Sequence, residues 1–320
     1  MDAARHAIYH FSMGENRSRG IYLVANRISS QHCHNLIYSI RQCGCRLPIR
    51  ILPYGGEPLQ LKASMEDVAL VSPADFSAEG RAFAAELCRR MPRCSPGLLQ
   101  RFLCWFGEFD EFLYSDNDIV ALMNWEEMFP FLNQYELVHA DEEHRTHGAF
   151  NLMQPERFEH LLGPGSLEQA ITAGHFLCRP SPRHVTDILA ALAWMEANPE
   201  VPKWHDQALL HVTVVLARWP VLNLCKPPHN WASSWAGDYR NSFDVLRTIS
   251  ALHRPLSHLH YSGGTPSGTM PVEELLYAHL PPAERNRRLL QALLHEASGL
   301  GSAKRLLGRA RNRIKRVRKP

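Results

Sequence analysis

Two aspartates one residue apart follow directly after an apolar segment of this sequence. Residues 111–115 have the composition of a short buried strand, and Asp116-Asn117-Asp118 comes next. In open α/β sheets, ligands bind at the carboxyl ends of the strands. Two carboxylates there suit Mg²⁺ or Mn²⁺, which prefers oxygen ligands and shares them with substrate phosphates. A solvated turn after a strand is the alternative that the tripeptide alone leaves open.

The elements that must position these acids alternate between short strand-like runs and longer helical ones, a pattern typical of an α/β domain. The opening of the chain has the order strand, helix, strand. The pattern predicts strands over 21–25, 49–53, 68–71, 111–115, 136–140, 171–177, 221–224 and 258–261, and helices over 35–42, 77–90, 97–106, 185–196, 204–216 and 281–297.

Composition narrows the class of protein. The chain has 320 residues, 45% of them hydrophobic and 21% charged, which excludes disordered and fibrous proteins. Neither an apolar run long enough to cross a bilayer nor a signal-like start is found, so we expect a cytoplasmic protein. The eight cysteines form no C-x-x-C pair, which favours reduced thiols in the core.

The charge is unevenly distributed along the chain. Nine basic residues and no acid lie in 304–319. Because the whole chain has a net charge of +3, the rest of the chain has a net charge of −6. Apolar residues recur at helical spacing among these cations, which predicts a basic amphipathic helix. We expect residues 303–319 to bind an anionic membrane surface and to hold the protein peripherally at the inner membrane face. A disordered tail is the alternative.

The segment FDEFLYSDND at 109–118 resembles the strand and metal motif of the GT-A glycosyltransferases. Four further segments are similar to motifs of that family and occur in the family's order. They are the first nucleotide-binding strand at 21–27, the "N-A-G" strand at 172–176, the "D-Q-x-x-L" segment at 205–209, and the "H-Y-x-G" of the retaining, glycogenin-like (family 8-like) branch at 260–263.

This resemblance implies a GT-A, Rossmann-like mixed sheet flanked by helices, over residues 15–265. A C-terminal helical segment at 266–300 and a basic amphipathic or disordered tail at 301–320 would follow. It also implies a hexosyltransferase that moves a sugar from a nucleotide-diphosphate sugar, in the first place a UDP-sugar, to a hydroxyl acceptor. The membrane contact expected of residues 303–319 favours an envelope or lipid-linked glycan as that acceptor.

The resemblance also implies site residues. Asp116, Asp118 and His260 would bind the metal, and the imidazole tilts the choice from Mg²⁺ towards Mn²⁺. Asp206 and Gln207 would be the catalytic residues, near the donor sugar or acceptor hydroxyl, although an aspartate in the first turn of a helix also suits its dipole. The nucleotide-sugar would be bound by Ala25, Asn26, Arg101, Asp116, Asn117, Gly174 and Gly263.

Two residues depart from the family pattern. Thr172 stands where asparagine is usual, and Thr265 replaces a lysine that would bind the diphosphate. Arg101 is the best remaining cation for the phosphates, with a surface helix arginine as the alternative. If the reaction inverts the anomeric centre, Asp206 or an acid of 141–143 would serve as the base; a retaining front-face mechanism needs none. Trp231, Trp235 and Tyr239 could stack on a sugar acceptor or pack in the core.

Two other classes of function compete with glycosyl transfer. Residues 112–120 also resemble the nucleophile strand of haloacid-dehalogenase phosphatases, in which Asp116 would attack phosphorus and Asp118 would act as acid and base. That family needs a later lysine and an acidic pair, and the acids at 238 and 244 have the wrong spacing. Nucleic-acid binding through the tail is not favoured, because the body is acidic and lacks a recognition motif.

Overall fold

A computed structural model of the chain describes residues 17–55, 59, 65–140 and 150–262, and beyond them only 272, 282–283, 286–287 and 290. The predicted segments 266–300 and 301–320, with the helix over 281–297, therefore lie almost entirely outside the described residues. Over the described helices, none is long and apolar enough to cross a membrane.

Seven strands form the central sheet of the described structure, in the order β3-β2-β1-β4-β7-β6-β8. Only β7 runs against the others, since it pairs antiparallel with β4 and β6 while the remaining pairs are parallel. The strands are β1 (Arg19–Ala25), β2 (Ile49–Pro53), β3 (Val68–Leu70), β4 (Glu111–Ser115), β6 (Leu137–His139), β7 (His175–Cys178) and β8 (Val221–Asn223). The GT-A mixed sheet expected from the sequence is confirmed.

A second, two-stranded sheet pairs β5 (Ile119–Ala121) antiparallel with β9 (His258–His260). It rests on a small core that includes Val120, Leu259 and Tyr261. This unit matters for the site, because it brings a late part of the chain beside the end of β4.

Helices cover both faces of the central sheet. The described α-helices are α1 (Ser30–Gln42), α2 (Ala78–Arg90), α3 (Pro96–Leu99), α4 (Pro155–Leu162), α5 (Pro182–Ala197), α6 (Asp206–Leu216) and α7 (Ser242–Ser250). Shorter 3₁₀ segments lie at Pro73–Asp75, Gln100–Phe106, Trp125–Asn133, Leu167–Gln169 and Ala236–Asp238. The predicted helix over 97–106 is thus α-helical only in its first turn.

Alternation along the strands divides the main core into two layers. Tyr22, Phe112 and Phe176 point to one face of the sheet, in the layer that also contains residues of α2, α5 and α6. Their neighbours Leu113 and Leu177 point to the other face, with residues of α1 and of the 3₁₀ segment 125–133. All eight cysteines are free and six are buried, which agrees with reduced core thiols.

One prediction for a strand was wrong at its start. The pattern gave 171–177, but β7 begins only at His175. The carbonyl oxygen of Gly174 accepts a hydrogen bond from the Asp116 amide at 2.7 Å, and that of Ala173 accepts one from Arg101. The backbone before β7 is therefore bound to the candidate site instead of to a neighbouring strand.

The amino end of β4 holds a buried acid. Glu111 is fully buried, and its carboxylate pairs with Arg17 at 3.0 Å, Arg19 at 2.9 Å and Arg179 at 2.8 Å. Burial alone would raise the pKa of Glu111, but the three guanidinium groups bring it below its ordinary value. This cluster fixes the end of β4 opposite to the aspartates.

Candidate functional site

The carboxyl ends of β1 and β4 lie side by side. The two strands are parallel, with Leu23 opposite Ser115. Ala25, the last residue of β1, and Asp116, the first residue after β4, are therefore at the same edge of the sheet, where ligands bind in this class of fold.

Asp116, Asp118 and His260 converge at this edge. One ligand atom from each lies within 4.8 Å of the others, and His260 Nε2 is 3.3 Å from Asp118 Oδ1. All three side chains are partly exposed, so an ion could reach them. Two carboxylate oxygens and one imidazole nitrogen form a donor set that suits Mn²⁺ and also accepts Mg²⁺.

Gly174 packs directly against this triad. A Cβ atom at position 174 would lie 2.4 Å from His260 Cε1 and 3.2 Å from Asp116 Oδ2. Only glycine therefore leaves His260 and Asp116 in place. The donor set of the triad fits a divalent cation, and Gly174 acts on the site through its lack of a side chain.

Arg101 is buried between two acids at this edge. Its Nε atom is 3.0 Å from Asp206 Oδ2, its Nη2 atom is 3.2 Å from Asp116 Oδ1, and its Nη1 atom donates to the Ala173 carbonyl. Its side chain is only 2% exposed, and its guanidinium lies over the Tyr114 ring. The surface-arginine alternative is therefore wrong, and its donors bind protein groups beside the metal triad.

The pKa values of the two aspartates of the motif are shifted in opposite directions. Burial raises the pKa of Asp116, while Arg101 and the Tyr114 hydroxyl, which donates to Asp116 Oδ1 at 2.7 Å, oppose this rise. Burial is also the largest effect on Asp118 and would raise its pKa, but the hydrogen bond and the charge of His260, together with smaller contributions, bring the pKa of Asp118 below its ordinary value. The pair is thus held by one cation and two hydrogen-bond donors.

Asn117, between the aspartates, faces the first strand. Its Nδ2 atom donates to the Val24 carbonyl at 2.5 Å and to Ser29 Oγ at 3.4 Å. Asn26 closes the same loop: its amide donates to Ser29 Oγ at 2.9 Å, and its Oδ1 accepts from the Ser29 amide at 2.9 Å. Asn26 and Asn117 therefore shape the β1–α1 turn beside the site.

Asp206 and Gln207 open α6, whose cap is His205. The Gln207 Oε1 atom accepts from the Ala173 amide at 3.3 Å, and its Nε2 donates to Asn151 Oδ1 at 2.8 Å. Asp206 is buried in its pair with Arg101. Neither side chain lines the described cleft, so the contacts of both support the residues around the triad.

A cleft of about 300 Å³ lies at this edge of the sheet, against the two aspartates of the motif. The residues predicted from the sequence supply part of its lining through Arg101, Asp116, Asn117 and Asp118. Sequence reasoning missed the others, which are Val24, Ser29, His32, Tyr54, Gly97, Leu98 and Tyr114. Val24 could have been found because it belongs to the apolar run of β1, one residue before the end of the strand. Tyr54 and His32 carry no local signal of a site.

Three other predicted groups have mixed outcomes. Gly263 and the acids of 141–143 lie outside the described residues. Trp231 is buried in the core layer with α1, so its stacking role was wrong. Trp235 is 48% exposed, and its backbone forms a bridge with His260.

Comparison with known proteins gives the fold a name. No protein-family model matches the chain, and no curated protein matches it either. Among solved structures, the bifunctional glycosyltransferase WbbM aligns with 88% of this chain at 14% identity and a TM-score of 0.55. The chain has the fold of a GT-A glycosyltransferase. It spans about half of the WbbM chain, of which 53% is covered.

Two further structures are similar. The galactosyltransferase LgtC, solved with donor and acceptor sugar analogues, aligns with 85% of this chain and 95% of its own at 14% identity and a TM-score of 0.48. Mouse xyloside xylosyltransferase 1 aligns with 78% of this chain and 99% of its own at 12% identity and a TM-score of 0.47.

Proposed function

We propose that this GT-A chain transfers a hexose from a nucleotide-diphosphate sugar to a hydroxyl acceptor in a metal-dependent reaction. The convergence of Asp116, Asp118 and His260 within 4.8 Å at the carboxyl edge of the sheet carries this proposal. A UDP-sugar donor extends it by the likeness of the sequence motifs to the family, and a glycan or lipid-linked acceptor extends it by the membrane contact proposed for the tail.

A bound Mn²⁺ or Mg²⁺ would neutralise the diphosphate as negative charge develops on its leaving oxygen. Asp116, Asp118 and His260 would hold the ion. Ala25, Asn26 and Asn117 would position the nucleoside at the end of β1, where Asn117 already binds the backbone of that strand. Gly263 is a further proposed contact with the donor.

Arg101 contributes charge to this site although its side chain is only 2% exposed. Its guanidinium faces the side of Asp116 that is also bound by Tyr114, so the carboxylate is kept in one orientation. The same guanidinium holds Asp206, which is why we assign Asp206 and Gln207 to positioning: Asp206 fixes Arg101, and Gln207 fixes the backbone at Ala173. Neither residue would then act as a base for the acceptor hydroxyl. This is compatible with a retaining reaction, which needs no such base.

The phosphatase alternative is less well supported. It needs a lysine beside the nucleophilic Asp116, and the described lining of the cleft contains none; its cation is Arg101, which is already paired with two acids.

The test is nucleotide release from UDP-, GDP- and CMP-activated sugars, with Mn²⁺ or with EDTA. We expect release from one donor with Mn²⁺, a fall of about a hundredfold or more in Asp118→Asn, and little change in Asp110→Asn. Asp110 is a matched control because it lies at the other end of β4, where it is exposed and bound to Ser18. Release that is unchanged by EDTA or by Asp118→Asn would contradict the proposal, as would the absence of both release and metal-dependent nucleotide binding.

The place of the reaction is part of the same proposal. Residues 303–319 would hold the enzyme at the inner membrane face, near a lipid-linked or envelope acceptor. Co-sedimentation with anionic vesicles should fall when the chain is cut before Ala303, and equal binding of the two forms would refute this role of the tail.

A further inference from the structure

Helix α7 presents an apolar face to solvent. Phe243 is 72% exposed, Leu246 60% and Ile249 36%, at a spacing of three residues that places them along one side of the helix. Leu252, just after the helix, is 53% exposed as well. We call these four residues the α7 stripe.

The opposite side of α7 is fixed to the protein. Val245 is buried in the small core of the β5–β9 sheet, and Asn241 caps the helix by accepting from the Asp244 amide at 3.1 Å. At its start, Ser242 Oγ accepts from the Val272 amide at 2.7 Å. The α7 stripe is therefore held outward by a helix that is anchored along its other face.

Positive charge flanks the stripe. Arg247 is exposed one turn after Phe243 on the same side of the helix, and Arg240 is exposed just before it. Neither forms an ion pair among the residues that the structure describes. The one acid of the helix, Asp244, accepts from the Arg240 amide at 3.1 Å. Apolar side chains next to cations match an anionic lipid surface. There the apolar side chains contact the lipid tails and the cations bind the headgroups.

We propose that α7 is a membrane-contacting helix, which inserts the α7 stripe among the lipids of an anionic bilayer while Arg240 and Arg247 bind headgroups. A second copy of the chain fits this face less well. Four side chains offer far less than the roughly 800 Å² per partner that a stable dimer buries, and a symmetric contact would bring like charges together. This proposal does not depend on glycosyl transfer or on the tail.

The test uses the full chain with vesicles of phosphatidylcholine, alone or mixed with phosphatidylglycerol. The variant is Phe243→Glu with Leu246→Glu, and the matched control is Leu70→Glu with Leu161→Glu, two exposed leucines on β3 and α4. Binding is measured at low salt and at about 1 M salt, where the Debye length falls to about 3 Å and the contribution of the basic tail is screened.

We expect the α7 variant to bind mixed vesicles about tenfold or more weakly at high salt, while the control binds like the unaltered chain. Arg240→Glu with Arg247→Glu should remove the preference for phosphatidylglycerol in part at low salt. Equal binding of the α7 variant and the unaltered chain would overturn the proposal.

Two measurements separate the other occupants of this face. A loss of oligomer mass in the α7 variant, seen by light scattering, would assign the face to a second copy. A marked fall in its melting temperature with unchanged vesicle binding would assign it to the later part of the chain, of which Val272 donates a hydrogen bond to Ser242 of the helix. Either result overturns membrane contact. A failure of the nucleotide-release assay would leave this proposal unaffected.

Discussion

Replacement of Gly174 by alanine tests the metal site through geometry alone. The new Cβ would lie 2.4 Å from His260 Cε1, whereas ordinary contacts are 3.4–4 Å, so the imidazole must retreat by about 1 Å. Metal–ligand distances tolerate only about 0.2 Å. We therefore expect His260 to be lost as a ligand, and the Mn²⁺ dissociation constant to rise at least about tenfold, or about 1.4 kcal/mol.

The assay is calorimetric titration of the purified chain with Mn²⁺, together with urea unfolding. Overpacking costs about 1–3 kcal/mol in general, so a loss of metal binding must be separated from a loss of folded protein. Gly80→Ala provides the control: its Cβ would lie 2.9 Å from Phe106, and this contact does not involve the three ligands. It should lower stability by a similar amount and leave Mn²⁺ binding unchanged. Unchanged Mn²⁺ binding by folded Gly174→Ala would refute the reasoning.

Three further predictions concern buried charges. Arg101→Met leaves the carboxylates of Asp116 and Asp206 without their cation. It should lower the free energy of unfolding, measured in urea, by about 3–5 kcal/mol. A fall of less than about 1 kcal/mol would show that the two acids do not need the arginine. Burial lowers the pKa of His211 to about 4 in the folded chain, so protonation of the unfolded state below about pH 6.5 reduces stability down to about pH 4. Between pH 7 and pH 5, His211 should lower the free energy of unfolding by about 2 kcal/mol. In His211→Gln, the free energy of unfolding measured in urea should therefore fall by about 2 kcal/mol less over this range. An unchanged dependence on pH would contradict the prediction. Because the pKa of Glu111 is lowered in the folded chain, its ionised carboxylate stabilises the protein above about pH 4.5, and this stabilisation is lost in more acid solution. Glu111→Gln should remove this acid loss and lower the free energy of unfolding by about 1–3 kcal/mol at pH 7. An equal acid transition in both proteins would show that the arginine cluster contributes nothing to stability.

Much of the fold could be predicted from local patterns. The short continuous apolar runs of β1 and β4 locate both strands, and Asp116 and Asp118 follow directly after the end of β4. The start of β7 could not be predicted in this way. Its apolar run continues through 171–174, but the peptide groups there bind Asp116 and Arg101, which are distant in sequence. Long-range hydrogen bonds leave no periodic signal.

In the candidate site, too, local patterns predict some residues, while others depend on contacts between distant parts of the chain. His260 was found only through the likeness of its motif to a family, because nothing in local spacing connects it with Asp118. Arg101 was predicted as a cation of the site, but its burial between Asp116 and Asp206 depends on the packing of α6 beneath the cleft. Tyr54, just after β2, and His32, in the first turn of α1, both line the cleft, and no local residue pattern connects either of them with Asp116.

The triad draws its ligands from two separately packed parts of the molecule. Asp116 and Asp118 follow β4 of the central sheet, while His260 stands on β9, which rests on its own small core. Metal affinity and the docking of that small core are therefore thermodynamically linked, and the coupling free energy is the same from either side. A substitution at Leu259 or Val120 that loosens the docking should weaken ion binding without touching a ligand. Conversely, a bound ion would act as a clamp that stabilises the β5–β9 unit, and with it α7, against local unfolding.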